Sequence, residues 1–187
     1  MSEEKAFETQ LEALSQLESL KREAEDLIFV KNSNSGDKIK AFRKENEKLK
    51  SALKSDVKKT SAFVKKLKSI NAEGIQQCIR DTETLNLSLY ISEIIAAIAE
   101  TNYKATDVPS MIRLSICLHR RYEEFTSGLI LNIKSIFSTP ANDDDKEFGK
   151  KKRILIRFVV ELFQVGVWSD ESFFVELVRS LLGKSKL

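Results

Sequence analysis

Few side chains in this chain are able to do chemistry. The one histidine, His119, stands in the run LHRRYEEF, and the two cysteines are Cys78 and Cys117. A histidine beside Arg120 and Arg121 could serve as a general base. With no second histidine, and no Cys/His cluster or C-x-x-C pattern, it cannot complete a metal site. Its pattern predicts a packed or surface residue. The cysteines read as reduced structural thiols, which predicts an intracellular compartment. Asp143, Asp144 and Asp145 are consecutive, so their side chains diverge. A calcium loop would need alternate oxygen ligands, a glycine and a distal glutamate at set positions. No G-x-x-x-x-G-K-[ST], G-x-G-x-x-G or G-x-S-x-G occurs. The expectation is a chain that is not an enzyme and holds no metal or cofactor.

Positive charge is what remains. One group is Lys58, Lys59, Lys65, Lys66 and Lys68; a second is Lys150, Lys151, Lys152, Arg153 and Arg157. On a helix, Lys58, Lys65 and Lys66 fall near one face, with Lys59 about a third of a turn away. Either group could meet phosphates or an acidic partner. Such a run is ordinarily a solvated helix face, and no aromatic residues interleave to stack unpaired bases. The net charge of +3 conceals a segregation: residues 1–36 carry −4, residues 37–68 carry +8, and residues 69–187 carry −1. The basic charge therefore precedes the apolar part of the chain.

The elements that must carry these residues are helical. Only 6 Gly and 2 Pro occur among 187 residues, too few for the turns of an all-β fold. Phe7, Leu11, Leu14, Leu17 and Leu20 recur at helical spacing and predict a helix over 3–30 whose narrow stripe seats on a neighbour or a partner chain. Asn32–Gly36 predicts a loop. A second helix is expected over 38–70, on the sparse stripe Ile39, Phe42, Leu49, Leu53, Val57, Phe63, Val64, Leu67 and Ile70. Its first half has too little apolar surface to be core, so it projects from the body or lies along it. The expected division is a charged helical arm over 1–62, broken near 32–36, and a helical domain over 63–187.

Shorter helices follow: 72–80, capped by Asn71, then 87–101, then one from Thr106 or Asp107 to about Phe125 with Pro109 in its first turn, and then 127–138. A polar loop at Pro140–Asp145 precedes a helix over 147–165, which Gly166 stops with Val167 closing the last turn. Ser169, Asp170 and Glu171 start a last helix, 170–183. The predicted fold is all-α: an N-terminal arm, then stacked antiparallel HEAT-like helix pairs, with a plain bundle as the competing arrangement. The acidic N-terminus has no apolar signal region. The apolar stretches 85–99 and 154–168 are interrupted by Ser92, Glu93 and Glu161, which predicts no membrane span.

Four stretches resemble one family: TSAFVKKLKSI from Thr60, LNLSLYISEIIAAIAE from Leu85, LHRRYEEF from Leu118 and KKRILIRFVVELFQVGVWSDE from Lys151. In this order they resemble the first middle domain of the up-frameshift-two family, a domain type shared with eukaryotic initiation factor 4G. The resemblance spans about residues 55–182 and implies a HEAT-like stack. It also implies a non-catalytic scaffold in nonsense-mediated mRNA decay, cytoplasmic with nuclear shuttling open. The partners it implies are other decay factors met through the full-length protein, with RNA as a further candidate and no small-molecule substrate or membrane. The family's best-known bridging regions lie beyond such a domain, so no helicase-binding residue transfers, and the chain is expected to be the leading part of a longer domain.

The shared residues read as core: Leu87, Tyr90, Ile91, Ile94 and Ile98 on one helix seam, and Phe125, Phe158, Leu162 and Phe163 on the next. Tyr122 would bury its ring with its hydroxyl at a wet edge or on a partner. Arg120 and Arg121 would pair with acids such as Glu93 or Glu161. Three readings compete with the decay scaffold: an initiation-type middle domain binding a DEAD-box helicase and RNA, a nonspecific RNA-binding module, and a coiled-coil oligomer built on residues 3–30. The HRRYEEF helix and the VWSDE turn suit the decay family better than initiation factors.

Overall fold

Helices form where apolar spacing is helical and end where the sequence supplies caps. The computed structural model describes residues 2–50, 53, 55–68, 72–139 and 146–183. Every regular element among them is a helix: α1 Ser2–Ser33, α2 Gly36–Lys50, α3 Val57–Lys68, α4 Ala72–Thr84, α5 Ile91–Glu100, α6 Val108–Arg121, α7 Glu123–Ser138, α8 Lys146–Gln164 and α9 Ser172–Gly183. The expected cap at Asn71, the loop Pro140–Asp145 and the tail after Gly183 lie outside the described residues.

Several boundaries differ from the sequence expectation. The helix expected over 38–70 is two helices. Asp56 starts the second, its carboxylate accepting the Lys59 N–H at 3.0 Å and its carbonyl accepting from the Thr60 N–H and hydroxyl, both at 2.9 Å. The helix expected to reach Phe125 stops at Arg121, because Tyr122 is extended at φ −124°, ψ 111°, and α7 begins at once. The helix expected over 87–101 starts as a 3-10 turn, Ser88–Tyr90, before α5. At the arm, α1 runs on to Ser33, and Ser33 and Ser35 donate to the carbonyls of Phe29 and Lys31. Gly36, at φ +62°, then turns the chain into α2.

The end of α8 is a Schellman motif. Gly166 has φ +77°, its N–H donates to the Phe163 carbonyl at 3.1 Å, and the Val167 N–H reaches the Leu162 carbonyl at 2.9 Å. Asp170 accepts from the Ser172 N–H at 3.1 Å at the start of α9.

The helices stack in two rows. α4, α6 and α8 pack in sequence in one row; α3, α5 and α7 do so in the other. Packing between alternate helices is what a stack of antiparallel pairs requires, and it fits an α-solenoid. One continuous core runs through both rows. Leu87, Ile94, Ile98, Tyr122, Phe125, Phe158 and Leu162 are fully buried and Ile91 nearly so, whereas Tyr90 and Phe163 are half-buried at its edge. The arm does not stand clear of this body: α2 packs on α6, and Val30 of α1 joins the core margin.

Candidate interaction site

The two basic groups behave differently. In α3, Lys58, Lys59 and Lys68 are exposed, while Lys66 turns inward to Asp81, Nζ to Oδ2 at 3.3 Å; Lys65 is exposed but also engaged. In α8 two of the group's five cations close helix ends. The Lys151 ammonium donates to the Glu100 carbonyl at the end of α5, at 2.6 Å. Lys152 reaches the Phe137 and Thr139 carbonyls at the end of α7, at 3.4 and 3.2 Å, and lies 4.5 Å over the Phe148 ring. A helix C-terminus presents unpaired carbonyls and negative partial charge, so a cation there is stabilising by about 0.3–1 kcal/mol. Burial beside these groups pushes the Lys151 ammonium below its ordinary pKa. Arg157 pairs with Glu161 at 2.7 Å and with the Ala105 carbonyl at 3.2 Å, Lys150 pairs with Glu147 at 2.7 Å, and Arg153 is exposed.

The same device recurs at Arg121, and both arginines depart from expectation. Arg121 donates to the Thr82 carbonyl near the end of α4, and Arg120 to the Asn34 side-chain oxygen at 2.7 Å. Neither pairs with Glu93 or Glu161. A buried carbonyl takes a guanidinium N–H in fixed geometry, and Glu161 is already held by Arg157 on its own helix face. The Tyr122 hydroxyl is likewise not at a wet edge: it is buried and accepts the Leu87 N–H at 2.9 Å.

The most connected polar cluster joins the arm to the stack. The Asn34 side chain is buried, and its amide donates to the Val165 carbonyl at 2.8 Å. His119 Nε2 faces the Asn34 carbonyl at 2.9 Å, so that nitrogen carries the proton, and Nδ1 takes the Thr126 hydroxyl at 2.6 Å. Arg43 from α2 forks onto the His119 carbonyl at 2.8 and 3.2 Å, and its guanidinium lies 3.4 Å from Nδ1. Burial first, and the Arg43 and Arg120 charges with it, hold the His119 pKa below its ordinary value, against the Asn34 hydrogen bond. His119 is thus a satisfied structural residue. Sequence reasoning missed Asn34 and Arg43, which look like a turn residue and an exposed arm residue; only the fold brings them to His119.

This arrangement can fasten helices, but it offers no reacting constellation. Among the described residues no three of His, Cys, Asp and Glu come together as metal ligands, and no helix is long and apolar enough to cross a membrane. Burial pushes the Cys78 thiol up to about 11, the opposite of an activated nucleophile.

Comparison with known proteins points one way. Residues 57–187 match the MIF4G domain family. The chain is 30% identical to "Regulator of nonsense transcripts UPF2" of Arabidopsis thaliana over 181 residues, covering 94% of this chain and 15% of that protein. It is 33% identical to "Regulator of nonsense transcripts 2" of Mus musculus over 159 residues, covering 83% of this chain and 12% of that protein. Among solved structures, the first MIF4G domain of human nonsense mediated decay factor UPF2 matches with a TM-score of 0.65 at 28% identity, covering 88% of this chain and 57% of that one. The chain therefore spans only 12–15% of the length of these curated relatives.

Proposed function

The chain belongs to the MIF4G domain family, and on that footing we propose that it works as a non-catalytic scaffold unit in nonsense-mediated mRNA decay, ordering decay factors in the cytoplasm. One observation carries the choice of decay over translation initiation. The domain match begins at residue 57, yet likeness to a regulator of nonsense transcripts extends over 94% of the chain and so takes in the arm. Physically, the role is to present rigid helix faces. Lys151 and Lys152 of α8 fasten the ends of α5 and α7, which ties the two rows together, and Arg121 of α6 fastens the end of α4 within its row.

The test is to delete residues 1–187 from the encoded protein in cells and follow a reporter mRNA with a premature stop. The scaffold role predicts a longer reporter half-life, and an unchanged half-life overturns it. A second reading is nonspecific RNA contact along α3, favoured by the exposure of Lys58, Lys59 and Lys68. It predicts RNA binding whose affinity falls steeply with salt. A flat salt dependence in an anisotropy titration, or no binding at about 100 mM salt, rejects it.

A further inference from the structure

α1 carries apolar surface that none of the described residues covers. At about 100° per residue, Leu14, Leu17, Leu20, Leu27 and Ile28 fall within about 140° on one face. Leu14, Leu17 and Leu20 are 59%, 64% and 62% exposed. At its C-terminal end this face meets the body. Leu27, Ile28 and Lys31 line an open groove of about 290 Å³ with Phe163 and Gln164 of α8, and the Lys31 ammonium lies 5.1 Å above the Phe163 ring. The face that begins against α8 therefore continues off the body toward the N-terminus. From Lys31 to Leu14 it is about 25 Å long at 1.5 Å per residue. Isolated exposed leucines are ordinary, but a contiguous helical stripe running on from a packed interface marks an interaction surface.

The charges beside the stripe select its occupant. Glu12 and Glu23 border one edge and Glu18 and Glu25 the other, with Lys21 and Lys31 as the cations on the face itself. A second copy laid along the stripe in either direction would bring acidic edges against acidic edges. A helix with an apolar stripe flanked by Lys or Arg would bring opposite charges together along both edges. We propose that this face of α1, with the groove against Phe163, is the docking site for a basic amphipathic helix of a partner protein. The inference deepens the scaffold reading, and its test does not pass through mRNA decay, so each can fail without the other.

The experiment uses the whole chain and two fluorescent helical peptides of about 18 residues, one with leucines at helical spacing flanked by Lys and the other identical but flanked by Glu. The Lys peptide is expected to bind, and the Glu peptide to bind at least about tenfold more weakly. The Leu17→Gln/Leu20→Gln variant should weaken binding of the Lys peptide by at least about tenfold. A matched Leu89→Gln/Leu131→Gln variant, at positions 83% and 68% exposed on other helices, should leave binding unchanged. No binding, equal binding of both peptides, or equal loss in both variants overturns the proposal. So does a dimer in light scattering that Leu17→Gln/Leu20→Gln dissolves, which would assign the face to a second copy.

Discussion

At the scale of single residues, the informative side chains are polar ones that the fold has enclosed. Tyr122 sits in extended backbone between α6 and α7, and its hydroxyl is the partner of the Leu87 N–H. Removing that oxygen leaves a buried donor unpaired, which costs about 1–3 kcal/mol, more than the bond itself contributes. Tyr122→Phe should therefore lower the unfolding free energy by that amount, read as a lower urea midpoint with the slope unchanged, while an unchanged midpoint would mean water replaces the hydroxyl. His119 carries a pH dependence whose sign follows from its surroundings. Its folded pKa lies below the unfolded value of about 6.5, so as pH falls through that value the unfolded chain binds the proton first. The facing groups are the Asn34 carbonyl, the Thr126 hydroxyl, Arg43 with Glu123 beyond it at 3.9 Å, and Arg120. The contribution of His119 is level above about pH 6.5 and stability declines below it. Comparing urea midpoints from pH 7.5 to 5 in the wild type and in His119→Gln checks this: the variant should lose that decline.

At the scale of elements, helix ends decide the architecture, and they differ in how far the sequence reveals them. Gly166 is legible as a stop because it follows apolar residues that recur at helical spacing. Its second role is not, because the partner lies far earlier in the chain: a Cβ there would fall 2.7 Å from the Lys31 carbonyl oxygen. Gly166→Ala should thus combine left-handed strain of about 1 kcal/mol with displacement of α1. The total expected is about 1–3 kcal/mol, with faster amide exchange over residues 28–36. Gly36→Ala, where no atom lies within 4 Å, should show the strain alone. The break before α3 was written in the sequence as Ser55-Asp56, a capping pair, but continuous apolar periodicity on either side outweighs a single cap when periodicity leads the reading. The break at Tyr122 has no Gly or Pro to announce it; the buried hydrogen bond to Leu87 accompanies it, and sequence spacing cannot display that bond. The core of α5, α6 and α8 was legible for the converse reason, since burial on one helix face imposes a period that local sequence carries.

At the scale of the molecule, the stack and the arm are held by different kinds of interaction. The rows share one continuous apolar core, whereas the arm is fastened by Ile39, Val30 and the polar cluster of Asn34 and Arg43. A few polar bonds at a margin open at lower free energy than a core does, so the arm is expected to detach before the stack unfolds. Asn34 is the residue that tests this order. Asn34→Ala removes the bonds to the Val165 carbonyl and to Arg120 together, leaving a buried acceptor and a half-buried guanidinium without their protein partners. Amide exchange should quicken across the second half of α1 and across α2, with α4–α8 protected as before and helical circular dichroism unchanged. Small-angle scattering should show a larger radius of gyration as the arm swings away. If exchange instead quickened equally in every helix, arm and stack would be one cooperative unit. The stripe on α1 would then be held in a fixed place relative to the rows, rather than on an arm that can leave them.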